Sequence, residues 1–85
     1  VTLIEAQATG LKCFVSDTVT EEVKITDLIE FISLDQNPEY WADRILSYSK
    51  GYERKDMSHH IKLAGYDVTS NTEWLENFYI TLAKS

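Results

Sequence analysis

The order of apolar and polar positions divides the chain into short structured segments separated by polar turns. Apolar runs and helical spacing predict, in chain order, a helix over residues 2–9, a buried strand over 11–16, one helical turn at 20–23 and a second strand over 29–34. Gly10 is placed to end the first helix, since glycine is the usual residue just past a helix C-terminus. The pattern is typical of an α/β protein.

Two further helices follow the second strand. Asn37 is a good N-cap, Pro38 suits the first helical position, and Gly51 is placed to end the helix that they begin. Residues 54–64 show a second amphipathic period, and Gly65 follows as a terminator. We expect these two helices to pack on the sheet through their apolar faces.

Near the end of the chain, apolar residues recur for a third time at the spacing of an amphipathic helix. Ser70 or Asn71 can cap a helix, and Trp74, Phe78 and Leu82 recur at helical spacing after them. The pattern therefore predicts a terminal helix over residues 69–84, whose apolar face would dock on another domain. Altogether the chain reads as helix-rich, with two short strands and about four helices.

The two predicted strands are apolar, and the segment between them is long enough for a parallel crossover. Two parallel strands do not form a stable sheet by themselves, so we expect further strands N-terminal to Val1. Residues 1–85 would then be one partial domain of a larger enzyme. The strand at 11–16 would lack a neighbour, and we expect the isolated segment to self-associate through that open edge.

The composition limits the possible partners. The net charge is −6 and the basic residues are scattered, which argues against nucleic acid and against an anionic membrane surface as ligands. Cys13 is the single cysteine, so an internal disulfide and a cysteine-based zinc site are excluded. Its apolar neighbours predict a buried reduced thiol, and a cytoplasmic setting fits such a chain best.

Two stretches resemble a known enzyme family. The run Leu3-Ile4-Glu5-Ala6-Gln7-Ala8-Thr9-Gly10-Leu11, followed by Cys13-Phe14-Val15-Ser16-Asp17, resembles the C-terminal part of bacterial retaining GT-B glycosyltransferases. Gly65-Tyr66-Asp67-Val68 and the segment around Trp74 resemble the closing part of that family. One departure is the stretch Thr18-Val19-Thr20-Glu21-Glu22-Val23, where many relatives carry a pair of glycines.

The resemblance implies a Rossmann-like domain that binds a nucleoside-diphosphate sugar, with no cofactor and no obligatory metal. Glu5 matches the second glutamate of the family's Glu-x7-Glu motif and would bind the donor's ribose, while Thr2 and Leu3 would approach its phosphates through backbone N–H groups. A saccharide or lipid-linked acceptor would bind a separate N-terminal domain. The implied role is surface polysaccharide synthesis in the cytoplasm or at the inner membrane face, with this segment inactive alone.

Plainer interpretations stay open for the same residues. Glu5 can be an acid that stabilises the start of a helix, and Asp17 is as well suited to a turn as to a ligand contact. Adjacent helical residues diverge by about 100°, so the pair His59-His60 is a poor metal site. The alternative function is a free-standing acidic module that binds another protein through its amphipathic final helix.

Overall fold

The computed structural model describes residues 3–65, 72–75 and 77–82, apart from the side chain of Trp74. The elements are, in chain order, α1 (Leu3–Ala8), β1 (Lys12–Ser16), a 3-10 helix (Glu21–Val23), β2 (Ile29–Ile32), α2 (Pro38–Leu46), α3 (Arg54–Ala64), β3 (Thr72–Leu75) and β4 (Phe78–Thr81). The fold is α/β, as the sequence predicts. None of the described helices is long and apolar enough to cross a lipid bilayer.

The strands form a mixed sheet with the order β2-β1-β4-β3. β1 runs parallel to β2 and places Cys13 opposite Ile29, which confirms the predicted parallel pair. β1 also runs parallel to β4, with Cys13 opposite Tyr79, and β3 completes the sheet antiparallel to β4. The carboxyl ends of three strands therefore lie at one edge of the sheet.

The predicted terminal helix over 69–84 is wrong over the strands β3 and β4. Every residue of β4 is buried, and a short apolar run of this kind fits a helix or a buried strand equally well by its periodicity. Pairing with β1 decides between them, because tertiary contacts override local propensity. The described residues thus form three α-helices and four strands, fewer helices than predicted. The candidate caps Ser70 and Asn71 lie outside the described residues.

The same pairing corrects the expected state of β1. Its second edge is occupied by β4, so the reason given for self-association is wrong. Within the described residues the open edges belong to β2 and β3 instead. Self-association itself stays a prediction, which sedimentation of the chain at high concentration would check.

One face of the sheet packs against α2 and α3. The core on this side contains the side chains Phe14, Ile32, Trp41, Ala42, Ile45, Met57, Ile61, Ala64, Phe78, Ile80 and Leu82. Both Trp41 and Phe14 are almost fully inaccessible to solvent. Trp41 is therefore a core residue, as its position on the apolar face of the predicted helix indicates.

The opposite face is covered by α1 and by the connection between β1 and β2. Its smaller core contains Ala6, Cys13, Val15, Ile29 and Tyr79, with half-buried Leu3, Leu11, Val19, Val23 and Phe31 packed around it. The side chain of Cys13 is fully buried, which confirms the burial predicted for it. Burial raises the pKa of this thiol, and nearby Lys12 offsets the effect only in part.

The helices on the first face begin as their sequence predicts. Asn37 Oδ1 accepts a hydrogen bond of 2.8 Å from the N–H of Tyr40, and Pro38 is the first residue of α2. Gly51, however, does not end α2, which stops at Leu46. Gly51 has a φ of +113° and lies in the connection to α3, where glycine tolerates that angle better than other residues.

A half-buried ion pair joins β2 to α2. Arg44 Nε donates to Glu30 Oε2 at 2.8 Å, and Arg44 Nη2 donates to Glu30 Oε1 at 2.7 Å. These hydrogen bonds lower the pKa of Glu30 below its ordinary value, with burial acting in the opposite direction. A lowered folded-state pKa stabilises the fold above the unfolded-state pKa, and this contribution is lost as the pH falls through the folded-state value.

We expect Glu30→Gln to lower the free energy of unfolding by about 1 kcal/mol at neutral pH, since it removes the charge-assisted pair. The difference from the wild-type chain should shrink as the pH falls below 4.5, the ordinary value for glutamate. Urea unfolding at a series of pH values measures both effects. Glu21→Gln, at an exposed acid, is the control, and a pH-independent difference for Glu30→Gln would contradict the assignment.

Candidate functional site

The helix that carries the candidate ligand residues is held in place by a buried amide, Gln7, which is 2% exposed. Its Nε2 donates to the carbonyls of Leu3 at 3.1 Å and Val23 at 2.7 Å. Its Oε1 accepts from the N–H groups of Ile25 and Thr26 at 3.2 and 3.0 Å, and from Thr26 Oγ1 at 2.8 Å. One side chain thereby ties α1 to the connection between β1 and β2.

A tight connection fixes the direction of α1. The N–H of Leu11 donates to the carbonyl of Ala6 at 3.0 Å, and Gly10 has a φ of +86°, which reverses the chain before β1. Because α1 and β1 run in opposite directions, the N-terminal residues of α1 lie toward the carboxyl end of β1. Ligands of α/β proteins bind outside this edge of a parallel sheet.

The three candidate ligand residues have different positions. Glu5 lies in the first turn of α1 with an exposed side chain. Leu3 is half-buried and packs against the core beneath α1, so its side chain has a structural role. Thr2 lies outside the described residues. Of these three residues, Glu5 therefore offers a side chain for a ligand contact, on a helix whose position is fixed by Gln7.

The turn after β1 lies at the same edge of the sheet. Ser16 is fully buried, and its Oγ lies 2.9 Å from Thr18 Oγ1. The N–H of Asp17 donates to the carbonyl of Ile32 at 3.0 Å, which extends the ladder between β1 and β2. The side chain of Asp17 is exposed. The residue thus serves as a turn former, and its carboxylate also faces solvent where a ligand would approach.

The charge of this edge limits its chemistry. Glu5 and Asp17 can accept hydrogen bonds from ligand hydroxyl groups. Lys12 lies at the opposite end of β1, and its Nζ stands 4.0 Å over the ring of Tyr48. Arg44 is engaged by Glu30. Neither Lys12 nor Arg44 is therefore placed to neutralise a diphosphate at this edge.

The histidine pair does not form a metal site in the structure. His59 is exposed, and His60 Nε2 lies 3.5 Å from Glu73 Oε2 on β3. Among the described residues no group of three histidine, cysteine, aspartate or glutamate side chains is arranged to hold a metal ion. His60 therefore lies beside the edge strand β3, and its Nε2 makes no hydrogen bond among the described residues.

Sequence reasoning missed two features. Gln7 was not singled out, although it lies on the same helical face as the packed residue Leu3, four positions earlier. An apolar groove of about 320 Å³ was also not predicted; its lining includes Leu34, Pro38, Trp41, Ile61 and Leu82. Its lining combines residues of α2 and α3 with Leu82, which follows β4, and no local pattern indicates that these segments meet.

Comparison with known proteins gives one relative. Over 82 residues the chain is 34% identical to the protein of Bacillus subtilis (strain 168) named "Putative glycosyltransferase EpsF". The match covers 93% of this chain and 21% of that protein, so the chain spans about a fifth of the relative's length. No protein-family profile matches the chain, and no solved structure matches it.

Proposed function

We propose that this chain is the C-terminal part of the nucleotide-sugar-binding domain of a retaining GT-B glycosyltransferase. The 34% identity with the Bacillus subtilis protein, extending over 93% of this chain, carries the proposal. The α/β fold with parallel β1 and β2 supports it. The reaction would move a sugar from a nucleoside-diphosphate donor to a saccharide or lipid-linked acceptor in surface polysaccharide synthesis.

Glu5 is the residue to which we assign a ligand contact. Its carboxylate is exposed in the first turn of α1, near the carboxyl edge of the sheet. A carboxylate in this position can accept hydrogen bonds from both hydroxyls of a ribose, as the acidic residue of dinucleotide-binding folds does. We assign the backbone N–H groups of Thr2 and Leu3 to the donor's phosphates.

The proposed chemistry requires parts that these residues do not provide. The leaving diphosphate develops charge that must be stabilised electrostatically, and we assign this to basic residues elsewhere in the enzyme, with no obligatory metal. The acceptor would bind a second domain that closes over the donor and excludes water. The proposed location is the cytoplasm, with the enzyme peripheral to the inner membrane face.

We expect Glu5→Ala, made in the full-length enzyme, to weaken donor binding by about 1.5–3 kcal/mol and to lower turnover, because charge-assisted hydrogen bonds to the ribose are lost. Isothermal titration with the nucleoside-diphosphate sugar and steady-state kinetics measure the two effects. Glu5 is exposed, so the variant should fold normally. Unchanged affinity and rate would reject the assignment.

Two matched variants separate a ribose contact from general electrostatics. Glu21→Ala removes the same charge from another exposed acid and should leave donor affinity unchanged. Glu5→Gln keeps an acceptor oxygen without the charge, and we expect an intermediate loss. If Glu5→Ala and Glu21→Ala changed donor affinity equally, the affinity would depend on the overall negative charge and not on a contact with Glu5.

The 85-residue chain alone should transfer no sugar and bind nucleotide-sugars weakly. Its net charge of −6 repels a diphosphate at long range. Lys12 lies at the opposite end of β1, and Arg44 is engaged by Glu30. Amide chemical shifts followed during titration with several nucleoside-diphosphate sugars would check this. Tight saturable binding, or measurable transfer, would mean that the site is more local than proposed.

The alternative of an acidic protein-binding module is less well supported. Its chief support was the amphipathic helix predicted at the end of the chain, and residues 72–75 and 78–81 are strands. The strand β4 buries its side chains within the sheet and is not available to a partner. The glycosyltransferase proposal therefore accounts for more of the observations.

A further inference from the structure

The apolar groove lies at the carboxyl edge of the sheet, on the face that packs against α2 and α3. Leu34 follows the carboxyl end of β2, Leu82 follows that of β4, and both line the groove. Pro38 and Trp41 contribute from α2, and Ile61 contributes from α3. Because α1 covers the other face of the sheet, the groove is separate from the candidate ligand residues.

The size and position of the groove suit a small-molecule site. Its volume is about 320 Å³, at the lower end of the range of roughly 300–1,000 Å³ for ligand pockets of proteins. Ligands of α/β proteins bind outside the carboxyl ends of parallel strands, and the positions of Leu34 and Leu82 place the groove there. Such sites have mostly apolar walls and a few polar groups that orient the ligand.

Two polar side chains at the groove indicate the head group of its ligand. Lys62 and Gln36 are exposed and belong to the lining. Lys62 makes no ion pair with another described residue, whereas Arg44 and Arg54 are held by acidic partners. An ammonium group and a primary amide can both donate hydrogen bonds to one anionic head group. The polar part of the groove therefore suits an acceptor of hydrogen bonds with a negative charge.

The charges favour a ligand with a single negative charge. Of the described lining residues, Lys62 alone is charged, and the chain as a whole carries a net charge of −6. A phosphate monoester carries about −1.5 to −2 at neutral pH, so the chain repels it more strongly than a carboxylate. A carboxylate carries one charge, which the ammonium group of Lys62 balances.

We propose that the groove binds an aliphatic carboxylate of the fatty-acid class. Its carboxylate lies between Lys62 and Gln36, and its chain packs against Leu34, Trp41 and Leu82. Burial of the chain supplies most of the affinity, because apolar surface is removed from water. The charge-assisted hydrogen bond to Lys62 selects an anionic ligand over a neutral one. This inference does not depend on the proposed enzymatic function.

Titration of the 85-residue chain with octanoate, followed by nuclear magnetic resonance, tests the proposal. The indole N–H of Trp41 reports on the groove, because Trp41 lines it. We expect a saturable shift of this signal, with octan-1-ol binding about fivefold more weakly and acetate causing no shift. The absence of a saturable shift with octanoate, or equal affinities for octanoate and octan-1-ol, would overturn the proposal.

Two lysine variants on α3 separate a contact from general electrostatics. Lys62→Gln should weaken octanoate binding by about fivefold and leave octan-1-ol binding unchanged, because the charged donor is lost. Lys62 is exposed, so this variant should fold normally. Lys55→Gln removes the same charge from an exposed lysine of α3 that does not line the groove, and should have no effect. Equal effects of the two variants on octanoate binding would contradict the assignment.

A second copy of the chain is the competing occupant of the groove. A copy seated there would exclude octanoate, so the apparent affinity measured at several protein concentrations distinguishes the two. We expect the same affinity at every concentration. An affinity that falls as the protein concentration rises, together with faster sedimentation of the chain, would show that the groove is an interface between copies and would overturn the proposal.

Discussion

Trp41→Ala should lower the free energy of unfolding by about 3–5 kcal/mol, a large part of the stability of a domain of this size. Trp41 is 2% exposed and packs among the residues that join α2 and α3 to the sheet. Its Nε1 donates to the carbonyl of Ser33 at 3.2 Å, just beyond the end of β2. Truncation removes the packing and one of the two hydrogen bonds to this carbonyl, which also accepts from the N–H of Gln36 at 3.2 Å. Urea unfolding followed by far-ultraviolet circular dichroism measures the loss.

The neighbouring residue provides a matched control. Tyr40→Ala also truncates a large aromatic side chain on α2, but Tyr40 is 42% exposed. We expect a change within about 0.5 kcal/mol for this variant. Trp41→Phe should show an intermediate loss, because it keeps a ring and loses the hydrogen bond. If Trp41→Ala cost no more than Tyr40→Ala, the helix α2 would not be packed as described.

The elements that could be predicted are those with local signals. Asn37 and Pro38 mark the start of α2 because capping needs only the side chain and the first turn of the helix. The helix over 54–64 was predicted with its observed bounds, since its apolar period is unbroken. The parallel pair of β1 and β2 followed from the length of their connection.

The strands β3 and β4 could not be predicted in the same way. Their residues satisfy a helical period, and the choice of strand depends on the second edge of β1, more than sixty residues earlier in the chain. The need of β1 for a hydrogen-bonding partner on its second edge does not show in the short stretch of sequence from which periodicity is read. The same limit explains the unpredicted groove, in which Leu82 meets Trp41 and Ile61.

The candidate site likewise contains one residue that the sequence pointed to and one that it did not. Glu5 was identified through the family resemblance, while its residue type and position on a helix alone favour an ordinary acid in a first turn. Gln7 was missed because its partners are backbone groups of the connection after β1, and sequence patterns do not show where such groups lie. Its position on the face shared with Leu3 was the available signal, since a polar residue there needs a buried partner.

Gln7→Ala should lower the free energy of unfolding by about 3 kcal/mol, because several buried backbone groups lose their partners together. Gln36→Ala, at an exposed glutamine, is the control and should change stability by less than about 0.5 kcal/mol. Gln7→Glu keeps the acceptor oxygen for Thr26 but removes the donor to Val23, and should be destabilising as well. Urea unfolding measures these losses, and amide exchange locates them in α1 and residues 23–26. Under the proposed function, Gln7→Ala in the full-length protein should also weaken donor binding, although Gln7 is buried, since Glu5 loses its fixed position. Equal stabilities of Gln7→Ala and Gln36→Ala would show that the buried amide does not hold the helix.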